Sequence, residues 1–286
     1  MKRRAFLKII AALIAGGKFA PEALAGIIKV QLPPMPETRD GYIRDYLVKM
    51  QHFNEHNEED VYVGRGNFRL LESSVKRFIR LQQTVGHGNF HLLNFDDAVN
   101  IARNYTRVGR FSEAEIDFLE MIFYEDGGLY GFFGDKPVKN LTDRVLKQKV
   151  VKVPNTGNYI YKGLPLETYQ KIKRTLGEGV VLTSGVRSVI KQFTLFLNKA
   201  YENYGNLSLA SRSLAPPGYS YHGIADFDVG QKGFGAANFT EQFMTTEVYQ
   251  RLKDLGYLSL RYPKDNLLGV RFEPWHIKVR SYSELS

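Results

Sequence analysis

The chain has 286 residues and not one cysteine. That absence limits the fold more than any other feature. No disulfide can brace the chain, and no thiolate can hold zinc or an iron–sulfur cluster, so stability has to come from a buried apolar core. With 43% hydrophobic residues, and with 26 Gly and 11 Pro that follow no period, the chain can build one. No stretch reaches the roughly 18 uninterrupted apolar residues of a membrane span. Any metal centre must use His, Asp and Glu, and only six histidines are present.

The first 25 residues form a separate unit of meaning. Paired Arg3-Arg4 precede Phe6-Leu7-Lys8, a modest apolar run covers Ile9 to Gly17, and Ala23-Leu24-Ala25 closes the segment before Gly26. A basic start, a short apolar middle and an Ala-x-Ala end describe a secretory signal. The Arg-Arg-x-Phe-Leu-Lys string resembles the twin-arginine export signal, which implies a periplasmic or cell-envelope location and a mature protein starting near Gly26. The formal charge of +9 shrinks with it, because Lys2, Arg3, Arg4, Lys8 and Lys18 face Glu22 alone in this segment. The remainder, near +5, is too mild to indicate a nucleic-acid partner.

Residues 26–150 read as a mostly helical region of unassigned role. Ile43, Leu47, Met50 and Phe53 have helical spacing, and Ser112 with Glu115 forms the capping-box signature of a helix start. Glycines and prolines between 127 and 165 then break the pattern, which puts a boundary near 150. Residues 151–286 have an α+β texture. Val180–Leu182 reads as a short strand, Ser188 as the cap of a helix carrying Phe193 and Leu197 inward, and Thr245–Leu255 as a helix. Leu258–Tyr262 and Trp275–Arg280 read as strands.

The histidines fall into three groups. His52-x-x-Glu55-His56 matches the inverted zincin pattern, but the apolar stripe of its helix runs through Leu47, Met50 and Phe53, which leaves the three side chains on a solvated face. His87-Gly88-Asn89-Phe90-His91 contains glycine and asparagine and reads as a pair of loop histidines. The third group is richer. His222 precedes a short strand in which Ala225, Phe227 and Val229 face one side and Asp226 and Asp228 the other; fifty residues on stand Glu273 and His276. Two imidazoles, a carboxylate and a separate glutamate form the inventory of a three-ligand zinc site with a general base. By spacing alone a core histidine and a strand-end glutamate account for the same residues.

Three motifs in order weigh for the site. Ser184-Gly185-Val186-Arg187-Ser188 with Gln192, then Ser220-x-His222 with Asp228, then Glu273-Pro274-Trp275-His276 resemble the VanY-like D-alanyl-D-alanine carboxypeptidases, LAS-type zinc metallopeptidases (the lysostaphin, D-Ala-D-Ala and hedgehog-like group). The resemblance covers roughly residues 155–280. It implies an α+β fold, a small antiparallel sheet with flanking helices, here preceded by the helical region. It implies one Zn2+ held by His222, Asp228 and His276, with Glu273 as catalytic acid/base and Arg187 at the oxyanion. Ser220 and Gln192 would hold the substrate. The implied substrates are peptidoglycan stem peptides, with release of terminal D-Ala. L,D-carboxypeptidase and D,D-endopeptidase activity are the alternatives, and a non-catalytic cell-wall binding protein on the same scaffold is a third. The sequence departs from the family in one respect: Asp228 stands six steps from His222 where the family usually has seven. Asp226, on the same strand face, therefore stays open as the ligand.

Overall fold

The computed structural model describes residues 46–279. The expected export signal at 1–25 lies outside the described residues, as do Ile43 and Arg280. All described residues belong to one compact unit, and none of their helices is long and apolar enough to cross a membrane.

A helical segment at 46–51 leads into an irregular stretch and then into α1 (Phe68–Val85). Leu71, Val75, Phe78 and Leu81 recur at three- and four-residue steps along α1, and all four are buried. After α1 come the single turn α2 (His87–Phe90), α3 (Phe95–Asn104) and α4 (Glu113–Tyr124). The expected capping box starts α4: the Glu115 N–H donates to Ser112 Oγ at 3.1 Å and the Ser112 N–H donates to Glu115 Oε2 at 2.7 Å. Glu115 also receives Arg77 of α1, with Nη2 at 3.0 Å, so one buried carboxylate both caps α4 and ties it to α1.

The second half is mixed. A two-stranded antiparallel sheet joins β1 (Val150–Lys152) to β2 (Tyr159–Tyr161). There follow α5 (Leu164–Leu176), β3 (Val180–Ser184), α6 (Val189–Glu202), α7 (Leu207–Ser213), β4 (Phe227–Gln231), α8 (Glu247–Asp254) and β5 (His276–Ile277). The three later strands form one antiparallel sheet with β4 in the middle. Its architecture is α+β with small antiparallel sheets and a helical N-terminal region, as expected. Ser188 caps α6 as read from the sequence, its Oγ accepting from the Lys191 N–H at 3.3 Å. In the helical layer Phe193 of α6 meets Phe78 and Phe123, with ring centroids 6.0 and 6.4 Å apart, so α6 packs against the N-terminal helices.

Strand alternation divides the central sheet into a dry face and a polar face. Phe227 and Val229 of β4, Val180 and Leu182 of β3 and Ile277 of β5 pack against Tyr169, Ile172 and Leu176 of α5 and Leu252 of α8. Each such side chain, fully buried, contributes about 1.5–3 kcal/mol. Asp228, paired with Ser184 on one side and His276 on the other, takes the opposite face.

Several boundaries differ from the sequence reading. The helix expected at Thr245–Leu255 runs Glu247–Asp254, because Thr246 Oγ1 accepts from the Tyr249 N–H and so acts as its cap. The strand expected at Trp275–Arg280 is only His276–Ile277. Leu258–Tyr262 makes a single bridge, Leu260 to Ile277, plus a Lys278 N–H bond to the Ser259 carbonyl at 2.7 Å. That segment lies beside β5 without forming a ladder, since Pro263 and a turn through Asn266 pull the chain away after it.

Candidate metal centre and its surroundings

The site is assembled where the polar face of the sheet meets the loops around it. A single 3-10 turn, Tyr221–Gly223, delivers His222. β4 presents Asp228, and β5 begins with His276 just after the turn that holds Glu273. His222, Asp228 and His276 are all buried, and one ligand atom from each lies within 4.8 Å of the others. Asp228 Oδ1 is 3.2 Å from His222 Nε2 and 3.4 Å from His276 Nδ1. Six steps between His222 and Asp228 are therefore enough. The chain turns tightly at Tyr221–Gly223, and β3 takes up a register shift between Leu182 and Ser184 opposite β4.

Each ring is fixed through its other nitrogen. His222 Nδ1 donates to the Gly185 carbonyl at 2.8 Å, which leaves Nε2 as the free lone pair. His276 Nε2 lies 3.0 Å from Asp226 Oδ2. Asp226 also accepts from the Val279 N–H at 2.9 Å and from Arg261 Nε and Nη2. Asp226 thus meets one nitrogen of the His276 ring and Asp228 the other. Carbonyl- and carboxylate-bound imidazoles of this kind are what orient metal ligands in proteins.

The charges suit a cation. Burial works against ionising Asp228, yet His222 and Arg187 outweigh it and pull its carboxyl down to about 2. Asp226 is likewise held at about 2, against its own burial, by His276 and Arg261. Burial and Arg187 push His222 down, which keeps it neutral as a ligand must be. Burial disfavours the His276 imidazolium, but Asp226 and Glu273 more than offset this and raise it to about 9, so a metal ion would have to displace the ring proton that faces Asp228 and Glu273. His222 Nε2 and Asp228 Oδ1 are sealed from solvent and neither has a well-aligned hydrogen-bond partner. Orphaned buried atoms of this type are expensive unless something else binds them, and two imidazoles with one carboxylate make the donor set of a zinc-type ion. The residues fit a metal.

The remaining expected residues surround this cluster. Glu273 Oε2 is 3.2 Å from His276 Nδ1, so its carboxylate reaches the same side of the ring as Asp228. Arg187 donates through Nη2 to Asp228 Oδ2 at 2.7 Å and through Nε to Ser184 Oγ at 2.9 Å. Nη1 makes no hydrogen bond among the described residues. Gln192 is committed at one end: Nε2 donates to the Ala215 carbonyl at 2.6 Å, while Oε1 is buried without a partner. Ser220 is buried, and its hydroxyl makes no hydrogen bond among the described residues.

Two contributors, Arg261 and Tyr262, were not legible in the sequence, and Gly185 of the first motif gains a structural reason. Arg261 grips Asp226 and lies over the Tyr221 ring at 3.4 Å from its centroid. Tyr262 packs edge-on against His276 with centroids 5.1 Å apart. Gly185 is needed because a Cβ there would run into the Tyr159 carbonyl oxygen, the acceptor for the Val186 N–H. Arg261-Tyr262 was read as strand, which hid both roles. The first histidine group does not join the site. His52 and His56 lie beyond the end of the 46–51 helix, where His52 pairs with Glu55 and His56 stacks on Tyr62.

Comparison with known proteins agrees with the resemblance seen in the motifs. No curated protein is matched by the chain. Among solved structures, an LdcB LD-carboxypeptidase described for its recognition of peptidoglycan is 25% identical, over 42% of this chain and 59% of its own, with a TM-score of 0.36. A VanYB structure in complex with D-alanine-D-alanine is 25% identical, over 47% of this chain and 78% of its own, at 0.37. A mutant of a vancomycin-resistance D,D-pentapeptidase VanY, in complex with Zn(II), is 24% identical, over 54% of this chain and 90% of its own, at 0.39. The chain thus spans about three fifths of the length of the first of these. Residues 165–281, which hold every residue of the candidate centre, match the model of the VanY D-alanyl-D-alanine carboxypeptidase family.

Proposed function

We propose that the protein is an exported, zinc-dependent peptidase of peptidoglycan stem peptides, a D,D-carboxypeptidase that releases terminal D-Ala. One observation carries the reading. A buried His222–Asp228–His276 donor set has a further carboxylate, Glu273, at its edge, and a protein that only bound cell wall would have no use for a base in that position. His222, Asp228 and His276 would hold the zinc, which would supply Lewis-acid activation of a water.

The chain's own groups supply the rest. Glu273 accepts the proton of the attacking water and passes it to the leaving amine, the role of a general acid/base placed within reach of both. Arg187 spends Nη2 on Asp228 and keeps Nη1 for the oxyanion of the tetrahedral intermediate, where a fixed cation in a dry site is most effective. Its bond to Asp228 also fixes the carboxylate rotamer. The Ser220 hydroxyl and the Gln192 amide oxygen offer polar contacts to the peptide. Asp226, with Arg261 behind it, holds the His276 ring. Export rests on the Arg3-Arg4 string and the Ala23-Leu24-Ala25 end.

Mass spectrometry of muropeptides after incubation with the zinc-loaded protein tests the assignment. Loss of one alanine from a pentapeptide is the expected result. Loss of alanine from a tetrapeptide alone, or opening of a cross-link alone, would reassign the scissile bond to L,D-carboxypeptidase or endopeptidase chemistry.

A further inference from the structure

His87 and His91 take no part in the centre described above. The sequence reads them as loop histidines, but the structure places His87 at the start of α2 and His91 at its C-cap, one turn apart, with their Nε2 atoms hydrogen-bonded at 3.2 Å. Glycine and asparagine are poor helix formers. The turn forms nonetheless, because it is held from outside: Phe90 is fully buried, and the His91 carbonyl accepts from the Ser188 N–H at 2.9 Å.

The geometry of this pair closely repeats that of the candidate centre. The His87 and His91 rings are 4.7 Å apart and 83° inclined; the His222 and His276 rings are 4.8 Å apart and 77° inclined. His91 Nδ1 bonds the Val186 carbonyl at 3.2 Å, just as His222 Nδ1 bonds the adjacent Gly185 carbonyl. The proton is thereby fixed on Nδ1, so His91 Nε2 accepts from His87 Nε2–H, and a metal ion between the rings would take the place of that proton. Two imidazole nitrogens sharing a tetrahedral zinc at about 2.0–2.1 Å stand roughly 3.3 Å apart, close to the observed separation. His91 is 3% exposed while His87 reaches solvent, so one ligand is rigid and the other open to an incoming ion. Burial, reinforced by Lys191, pushes His91 down to about 3 and keeps it neutral.

We infer that His87 and His91 form a second site for a zinc-class divalent ion, weaker than the first. Two protein nitrogens leave the other coordination positions to water, and the ammonium of Lys191 opposes a cation there. Neither ring has a carboxylate partner among the described residues. An ion at this site would brace the stretch that carries Arg187, because His91 bonds the residues on both sides of it, Val186 and Ser188.

The test is calorimetric titration of the chelator-stripped full chain with Zn2+ alone, on the wild type, on His87→Gln and on the double variant His222→Gln/His276→Gln. His87→Gln changes an exposed side chain and leaves the buried His91 in place. Two zinc equivalents are expected in the wild type. The weaker should lose at least tenfold in affinity in His87→Gln while the stronger stays; the double variant should show the reverse. A single equivalent in the wild type overturns the inference, as does a second one that His87→Gln leaves unchanged. The double variant keeps this result separable from any failure of the first site.

Discussion

Asp226→Asn is the substitution that distinguishes the two strand carboxylates. Asp226 is 1% exposed, and its oxygens serve four donors: His276 Nε2 at 3.0 Å, the Val279 N–H at 2.9 Å, and Arg261 through Nε and Nη2. An asparagine keeps the shape and one acceptor. It removes the charge, however, and turns an N–H group toward one pair of these donors. The His276 ring would lose the partner that sets its tautomer and aims Nδ1 at Asp228. Loss of such an orienting carboxylate lowers metal affinity about 10–100-fold, or roughly 1.4–2.8 kcal/mol. Asp228→Asn acts on a donor itself and also strips Arg187 of its partner, so its loss should be larger. Zinc affinity, measured by competition with a chromophoric chelator on variants whose circular dichroism matches the wild type, gives the answer. The reasoning fails if Asp226→Asn abolishes zinc binding as fully as Asp228→Asn does, or if Asp228→Asn binds as the wild type.

Two further predictions concern stability. Arg212 is 2% exposed and holds Asp60 through Nη1 at 2.6 Å and Nη2 at 3.0 Å, while also bonding the Phe53 and Glu55 carbonyls. Arg212→Met leaves the buried Asp60 with only the more distant Lys49, whose Nζ is 3.9 Å away, as counter-charge, and should cost about 3 kcal/mol in urea unfolding; a cost under about 1 kcal/mol would show that the pair does not anchor the 53–60 stretch. In the metal-free protein, His91 has a folded-state pKa near 3, below its ordinary 6.5, so protons prefer the unfolded chain. Its contribution is therefore full above pH 6.5 and declines as pH falls below that value, whereas Asp226 and Asp228 lose theirs only below about 4. His91→Gln should flatten the stability profile between pH 6.5 and 4, and an unchanged slope there would count against the assignment.

What the sequence made legible was local. Ser112 with Glu115 and Ser188 ahead of an apolar run marked helix starts because a cap needs only residues a turn apart. The alternation of Phe227 and Val229 with Asp226 and Asp228 showed which side of the strand was dry. It did not separate the two carboxylates, because that depends on a ring fifty residues away and on Arg261 behind it. The α2 turn was misread for a similar reason: propensity at Gly88 and Asn89 was outweighed by the burial of Phe90 and the bonds His91 makes to Val186 and Ser188. Leu258–Tyr262 alternates like a strand, yet its partner β5 has only two residues with which to pair. The six-step spacing of His222 and Asp228 departs from the family's usual seven, and the turn at Tyr221–Gly223 still brings the two side chains together.

The most direct test of the proposed chemistry separates binding from turnover at Glu273, which touches His276 but is not among the three donors. Zinc content and the rate of alanine release from a pentapeptide muropeptide should be measured side by side for the wild type and Glu273→Gln. The expected outcome is an active wild type and a variant that keeps its zinc while turnover falls about 10²–10⁴-fold, the usual worth of a positioned general acid/base. A zinc-loaded wild type that releases nothing from any muropeptide, or a Glu273→Gln variant as active as the wild type, would contradict it.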